Sequence, residues 1–274
     1  MRNLIKTFIF FIVMFTLSGC IEVNIKVNVN NDGSGTIDEK VFFSKQLVEM
    51  LSSFGSMGDS TSDQKFELFN EKELKANALK MGNGVTFISG KKISENGKQG
   101  YLALYSFNDI TKLKLNEDPG NKVPANTPEQ NDESKNDNIT FAFSKGEPAE
   151  LIVRFPKKMK TSENAGESRE VKVTNDTTNS NLFNMDQLKA IFKDFKVKYE
   201  ISVNGKITET NAEYRNGNSV TLFEMDFSKL IENPEELKKF KSEKPKSFQE
   251  TKDLLKQLPG FKIDTNEEVI IKFK

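Results

Sequence analysis

Histidine and tryptophan are absent from the 274 residues, and cysteine occurs once, at position 20. Without histidine, Ser-His-Asp and Cys-His catalysis are excluded, and so are imidazole-zinc sites. A single cysteine leaves no intrachain disulfide. Without tryptophan the usual platform for stacking sugars is missing. Arginine is scarce: beyond Arg2 only Arg154, Arg169 and Arg215 occur. Lysine carries the remaining positive charge, and it lacks the planar fork that grips phosphate at two points. Basic and acidic residues number 40 each, so no global field draws the chain to nucleic acid or to an anionic surface. No metal, cofactor or nucleic-acid partner is expected.

What is present is phenylalanine, 23 residues with four of them before position 20. The core must be built from Phe, Ile, Leu and Val. The first residues carry a second signal. Arg2 and Lys6 precede an apolar run from Phe8 to Leu17 broken only by Thr16, and Ser18-Gly19 precede Cys20. That order is a secretory signal peptide. An uncleaved membrane anchor fits less well, because the apolar stretch is about half of the roughly 20 residues that a spanning helix needs. Leu17-Ser18-Gly19-Cys20 resembles the lipobox of bacterial lipoproteins. The resemblance implies cleavage before Cys20 and acylation of Cys20, by palmitate or a similar chain, on sulfur and on the new amino group. Two or three acyl chains hold a protein on a membrane stably, where one does not. The expected location is the bacterial cell envelope, on the outer membrane or the outer face of the cytoplasmic membrane. No apolar C-terminal segment follows, so the lipid is expected to be the only anchor.

From Cys20 the chain reads as α+β, with two similar ββαββ units of mainly antiparallel strands followed by C-terminal helices and a final strand. The first unit spans 20–116. Ile21, Val23, Ile25, Val27 and Val29 alternate strictly with polar residues, the mark of a half-buried strand. Asn31-Asp32-Gly33-Ser34-Gly35 turns the chain into a second strand, Thr36–Phe43. A short helix is expected over Lys45–Leu51, a loop over Ser52–Ser62, and a helix over about Asp63–Lys80. A hairpin, Val85–Ile93 with Gln99–Phe107, turns at Glu95-Asn96-Gly97. Residues 117–138 hold three of the eight prolines and few apolar residues, and are expected to be a disordered linker.

The second unit, 139–241, repeats the order. Ile139–Ser144 and Glu150–Phe155 form a hairpin, a polar loop covers Lys157–Asn181, and a helix covers Phe183–Phe195. Lys198–Val203 is expected to pair with Lys206–Tyr214, ahead of Val220–Met225. Three matches support the duplication: Val41–Lys45 with Val153–Lys157, Phe69–Ala76 with Phe183–Ala190, and Asp109–Leu113 with Asp226–Leu230, at offsets of 112, 114 and 117. In 242–274, Ser247 with Glu250 caps a helix ending near Pro259-Gly260, and Glu268–Phe273 is the last strand.

Three motifs invite chemistry. Asn30, Asp32, Ser34, Thr36 and Asp38 imitate the ligand positions of a calcium loop, but the twelfth position is Val41 where a bidentate Glu is needed, and the flanks are strands. A hairpin turn is the simpler reading. Asp109 and Asp226 invite a paired-carboxylate site; helix capping is the simpler reading. Ser and Lys are everywhere, so a Ser-Lys hydrolase stays open, without a Gly-x-Ser-x-Gly elbow to support it.

Leu17–Cys20, the strand Ile21–Val29 and Asn31–Thr36 together resemble the LppM-like bacterial lipoproteins. Phe107-Asn108-Asp109-Ile110, Gly205–Ala212 and Ser219–Phe223 resemble them too. That resemblance implies an α+β extracytoplasmic domain with no assigned enzyme activity. The expected function is a non-enzymatic, lipid-anchored binding or structural module, with Cys20 as the lipidation site and an envelope protein as candidate partner. The alternative is a carrier or sensor of an apolar ligand such as a lipid, with Ser52–Ser62 and Lys157–Asn181 as its mouth.

Overall fold

The computed structural model describes residues 21–55, 67–116, 138–156, 195–233, 235–236 and 248–274. The opening alternation becomes strand β1 (Ile21–Val29), whose Val23, Ile25, Val27 and Val29 are buried while the polar residues between them are half-exposed. Side chains of a strand point to alternate faces, so this spacing buries one face only. The turn at Asn30–Ser34 leads into β2 (Gly35–Ser44), antiparallel to β1 from Ile21↔Phe43 to Val29↔Gly35. Helix α1 (Lys45–Gly55) leaves the end of β2.

Helix α2 (Glu71–Lys80) begins later than its sequence pattern suggests. The Asn70 side chain accepts hydrogen bonds from the Lys72 and Glu73 backbone N–H groups at 3.0 and 3.4 Å. Asparagine favours this capping role over a helix interior, so Phe69 lies outside the helix and packs against Gly90. The hairpin of β3 (Val85–Glu95) and β4 (Lys98–Phe107) is as expected. Its turn residues Asn96 and Gly97 both have positive φ, 50° and 76°, the requirement of a tight two-residue hairpin turn. Strand β4 pairs with β2 along its whole length. A β-carbon on Gly100 would meet the Val41 carbonyl oxygen at 1.8 Å. Gly100→Ala is therefore expected to push two paired strands apart and to cost more than about 2 kcal/mol, read as the urea midpoint of unfolding.

After a 3₁₀ turn at Ile110–Lys112 come β5 (Lys114–Asn116), β6 (Asn138–Ser144) and β7 (Ala149–Arg154). Then follow β8 (Lys196–Val203), β9 (Ile207–Thr210), β10 (Arg215–Asn216) and β11 (Ser219–Asp226). Helices α3 (Phe227–Ile231) and α4 (Phe248–Lys256), with β12 (Phe261–Ile263) and β13 (Glu268–Phe273), complete the described elements. They form two sheets. The larger runs β10-β11-β8-β1-β2-β4-β3, with β12 also on β11; the smaller runs β5-β6-β7-β13-β9. The pairing of β1 with β8 is parallel, and the other described pairings are antiparallel. The buried faces share one hydrophobic core, which holds Val27, Ile37 and Ile201 of the larger sheet with Leu151, Ile271 and Phe273 of the smaller. The fold is thus α+β with antiparallel-dominated sheets.

The duplication is not what the structure shows. In the first half β1, β2, β4 and β3 are neighbours in one sheet. In the second half β6 and β7 lie in the smaller sheet, whereas β8 and β11 lie in the larger. The two sets of strands therefore cannot superimpose as ββαββ units. The expected hairpin of Lys198–Val203 with Lys206–Tyr214 is corrected for the same reason. Strand β8 pairs with β1 and β11, while β9 crosses to β13. Backbone bonds between Lys206 and Lys274, 2.8 and 3.1 Å, fix that crossing. Short local matches in a chain rich in Phe, Asn and Lys fit strand ends and helix caps in general, so they imply no repeat. The expected helix Phe183–Phe195 lies outside the described residues but for Phe195, which precedes β8. Asn138, placed in the linker by composition, opens β6; 117–137 lie outside the described residues.

Candidate functional site

Cys20 lies outside the described residues, but its covalent neighbour Ile21 is the first residue of β1. The fold begins with no spacer after the cysteine. Strand β1 is internal in its sheet, held by β2 on one edge and β8 on the other.

The calcium-like run is a hairpin turn. The Asp32 carboxylate accepts from the Ser34 backbone N–H at 2.9 Å and from the Ser34 hydroxyl at 2.6 Å. Those bonds hold its pKa below the usual carboxylate value. Asp38 accepts from the Asn28 amide at 2.6 Å, across the strand pair. No group of three or more His, Cys, Asp or Glu among the described residues is placed to hold a metal ion.

Asp109 and Asp226 are both helix caps. Asp109 accepts from the Thr111 backbone N–H at 3.0 Å and its hydroxyl at 2.7 Å. Asp226 accepts from the Ser228 N–H at 3.1 Å and from the Ser228 hydroxyl, and pairs with Lys196 at 3.0 Å. Burial raises the Asp226 pKa, but Ser228 and Lys196 outweigh it and the net shift is downward. The paired-carboxylate arrangement does not form. Asp226 lies across β8 from Glu22, near the start of β1, whereas the residue after Asp109 donates to the Gly33 carbonyl, beyond the end of β1. At about 3.3 Å per residue, those ends are some 25 Å apart.

A buried acidic group sits inside β2, in a core that composition assigns to Phe, Ile, Leu and Val. In β2 the inward positions are Ile37, Glu39, Val41 and Phe43, and Glu39 is 1% exposed between Ile25 of β1 and Ala103 of β4. The Tyr101 hydroxyl donates to Glu39 Oε1 at 2.7 Å. The Tyr105 hydroxyl is buried nearby with no hydrogen-bond partner. The one signal in the sequence was an acidic residue at an inward position of an alternating strand. Burial pushes the Tyr101 phenol well above its ordinary pKa, reinforced by the Glu39 charge and hydrogen bond. Burial, then Glu39, raises Tyr105 likewise. Both phenols are therefore held in the protonated form, and Tyr101 donates its proton to Glu39. Sealed from solvent, they support the core rather than meet a substrate.

A phenol whose pKa is raised in the folded state contributes fully below the unfolded tyrosine value, about 10. Above that value the unfolded chain loses its protons first, and stability falls. The melting temperature is expected to drop as pH rises above about 10, and less steeply in Tyr105→Phe. Equal slopes in the two proteins would show that Tyr105 is not responsible.

A second buried polar cluster joins α4 to the loops before β10 and β13. Asp264 is fully buried and accepts from the Glu213 N–H at 2.9 Å, the Asn266 N–H at 3.1 Å and the Asn266 amide at 2.8 Å. Lys252, 3% exposed, donates to the Asn266 carbonyl at 2.9 Å and lies 4.4 Å over the Phe155 ring. Glu213 pairs with Lys256 and accepts from the Thr265 N–H at 3.1 Å. Buried polar groups must be satisfied. Here the bonds fasten one loop to another and leave the Asp264 oxygens occupied by N–H donors.

The loop expected at Ser52–Ser62 begins as the last turn of α1, to Gly55; 56–62 and 157–181 lie outside the described residues. Among the described phenylalanines, Phe43, Phe107, Phe141 and Phe273 are core. Phe195, Phe227 and Phe261 stack edge to face at 5.3 and 5.0 Å. No helix among the described residues is long and apolar enough to cross a membrane.

No family model matches this chain, and no curated protein matches it. Among solved structures, the NMR structure of the folded domain of Mycobacterium tuberculosis LppM aligns over 76% of this chain and 83% of that one. The identity is 8% and the TM-score 0.31. This is a distant structural resemblance, too weak to carry an argument about function.

Proposed function

We propose that this protein is a lipid-anchored extracytoplasmic module, acylated at Cys20 and acting by binding or by structural support rather than by catalysis. The observation that supports it most is the junction at Cys20. The signal-like segment ends where strand β1 begins, at Ile21, so cleavage before Cys20 removes no part of the described fold. The side-chain chemistry agrees. The carboxylates singled out are occupied by turns, caps and loop fastenings, and the buried Glu39 and Tyr101 have no open face. None of these stands beside an activated nucleophile in the manner catalysis needs.

Cys20→Ala tests the reading. The variant is expected to leave the membrane fraction or to accumulate as unprocessed precursor, while the unaltered protein carries a diacyl or triacyl mass on its N-terminal peptide. A variant that loses residues 1–19 and still floats with membranes would overturn the anchoring.

A further inference from the structure

Acyl chains on Cys20 would fix which end of the fold lies at the membrane, and the inference rests on that proposed anchor. We infer that the end of the larger sheet at which β1 starts is the face this protein turns to the bilayer, with the tip of the β3–β4 hairpin in the headgroup layer.

Cys20 is one peptide unit from Ile21, and consecutive Cα atoms are about 3.8 Å apart. Because β1 is clamped between β2 and β8 from its first residues, acyl chains on Cys20 cannot be paid out on a flexible tether. The residues beside Ile21 must follow it down. Registers identify them. Ile21 faces Phe43, Phe43 faces Gln99, and Gln99 faces Ser94. Glu95, Asn96, Gly97 and Lys98 therefore project beyond the row of Ile21, with Asn96 and Gly97 furthest, by about 7 Å at a strand rise near 3.3 Å per residue. On the other side, Lys196 and Asp226 lie level with Glu22.

The chemistry of this end suits a headgroup layer rather than the hydrocarbon. Its charges are paired: Glu22 with Lys98 at 3.1 Å, Lys40 with Glu95 at 3.4 Å, and Lys196 with Asp226 at 3.0 Å. No basic patch stands out among the described residues of this end, so contact should follow from the tether rather than from attraction to anionic lipid. The opposite end, with the Asn30–Ser34 turn and Asn108, stands about 26 Å further out, eight strand steps from Ile21 to Val29.

The test uses the full, processed chain in phosphatidylcholine vesicles carrying a nitroxide on some headgroups. Cys20 is acylated in that protein, so a thiol-reactive fluorophore reports only an introduced cysteine. Ser94→Cys labels the membrane end and Asn31→Cys the far end; Glu95→Cys and Asn108→Cys are second choices if either fails to fold. The vesicles first separate the two ideas by flotation. Protein that does not float overturns the lipid anchor, and the inference falls with it. Protein that floats is expected to show at least severalfold stronger quenching at Ser94 than at Asn31, unchanged by high salt. Floating protein with equal quenching at both ends, or stronger quenching at Asn31, keeps the anchor and overturns the orientation.

Discussion

Removal of residues 268–274 is expected to leave a chain that no longer folds cooperatively. These residues are β13 and the Lys274 that follows it, and β13 lies inside the smaller sheet, between β7 and β9. Its Val269, Ile271 and Phe273 are fully buried. Burying such side chains stabilises by about 1.5–3 kcal/mol each, before the strand ladder is counted. A domain of this kind has only about 5–15 kcal/mol of net stability. Loss of the strand also exposes the inner edges of β7 and β9 and frees the Lys206–Lys274 pair that seats the crossing between sheets. Circular dichroism against urea is expected to show no sigmoidal transition in the truncated protein. Phe273→Ala is the milder form, with an expected loss of about 3–5 kcal/mol. A truncated chain with an unchanged urea midpoint would mean that β13 is dispensable and the core differently closed.

The second large effect is expected at Glu39 and Tyr101. Tyr101→Phe removes a donor from a carboxylate that is 1% exposed. A buried charge-assisted hydrogen bond lost in this way costs about 1.5–3 kcal/mol. Glu39→Leu removes the charge but strands the Tyr101 hydroxyl beside the already unpartnered Tyr105 hydroxyl, at a cost of about 1–3 kcal/mol. The double variant leaves neither group seeking the other. Its loss is expected to fall short of the sum of the singles by at least about 1 kcal/mol, since residues in contact do not act additively. Urea unfolding of the four proteins gives that coupling directly. Strict additivity would mean that the pair contributes nothing and that Glu39 is held by other groups.

Much of the local structure was legible beforehand, for physical reasons. Period-two alternation marked β1, because a strand half-buried on one face must alternate. Asn96-Gly97 marked the β3–β4 turn, because few residues accept positive φ twice in succession. Asp109 and Asp226 were readable as caps from the short side-chain acceptor ahead of a helical run. Asn70 is a cap of the same kind, and it starts α2 at Glu71, later than the run of helix-forming residues before it suggests. Glu39 was visible as an acidic residue on the inward face of β2, yet its partner Tyr101 is 62 residues away, and no local pattern links them.

What sequence alone determined is therefore of one kind: where strands, turns and caps occur, which chemistries the composition forbids, and the apolar run that ends just before Cys20. Which strand lies beside which was decided only in three dimensions. The parallel pairing of β1 with β8 joins residues more than 170 positions apart, and the transfer of β9 to β13 brings the last residues of the chain into the middle of a sheet. Local propensity is the same on either side of such a choice. The choice is made by which arrangement buries both inner faces in one core and leaves Lys252, Asp264 and Glu39 with partners, and that condition involves the whole chain at once.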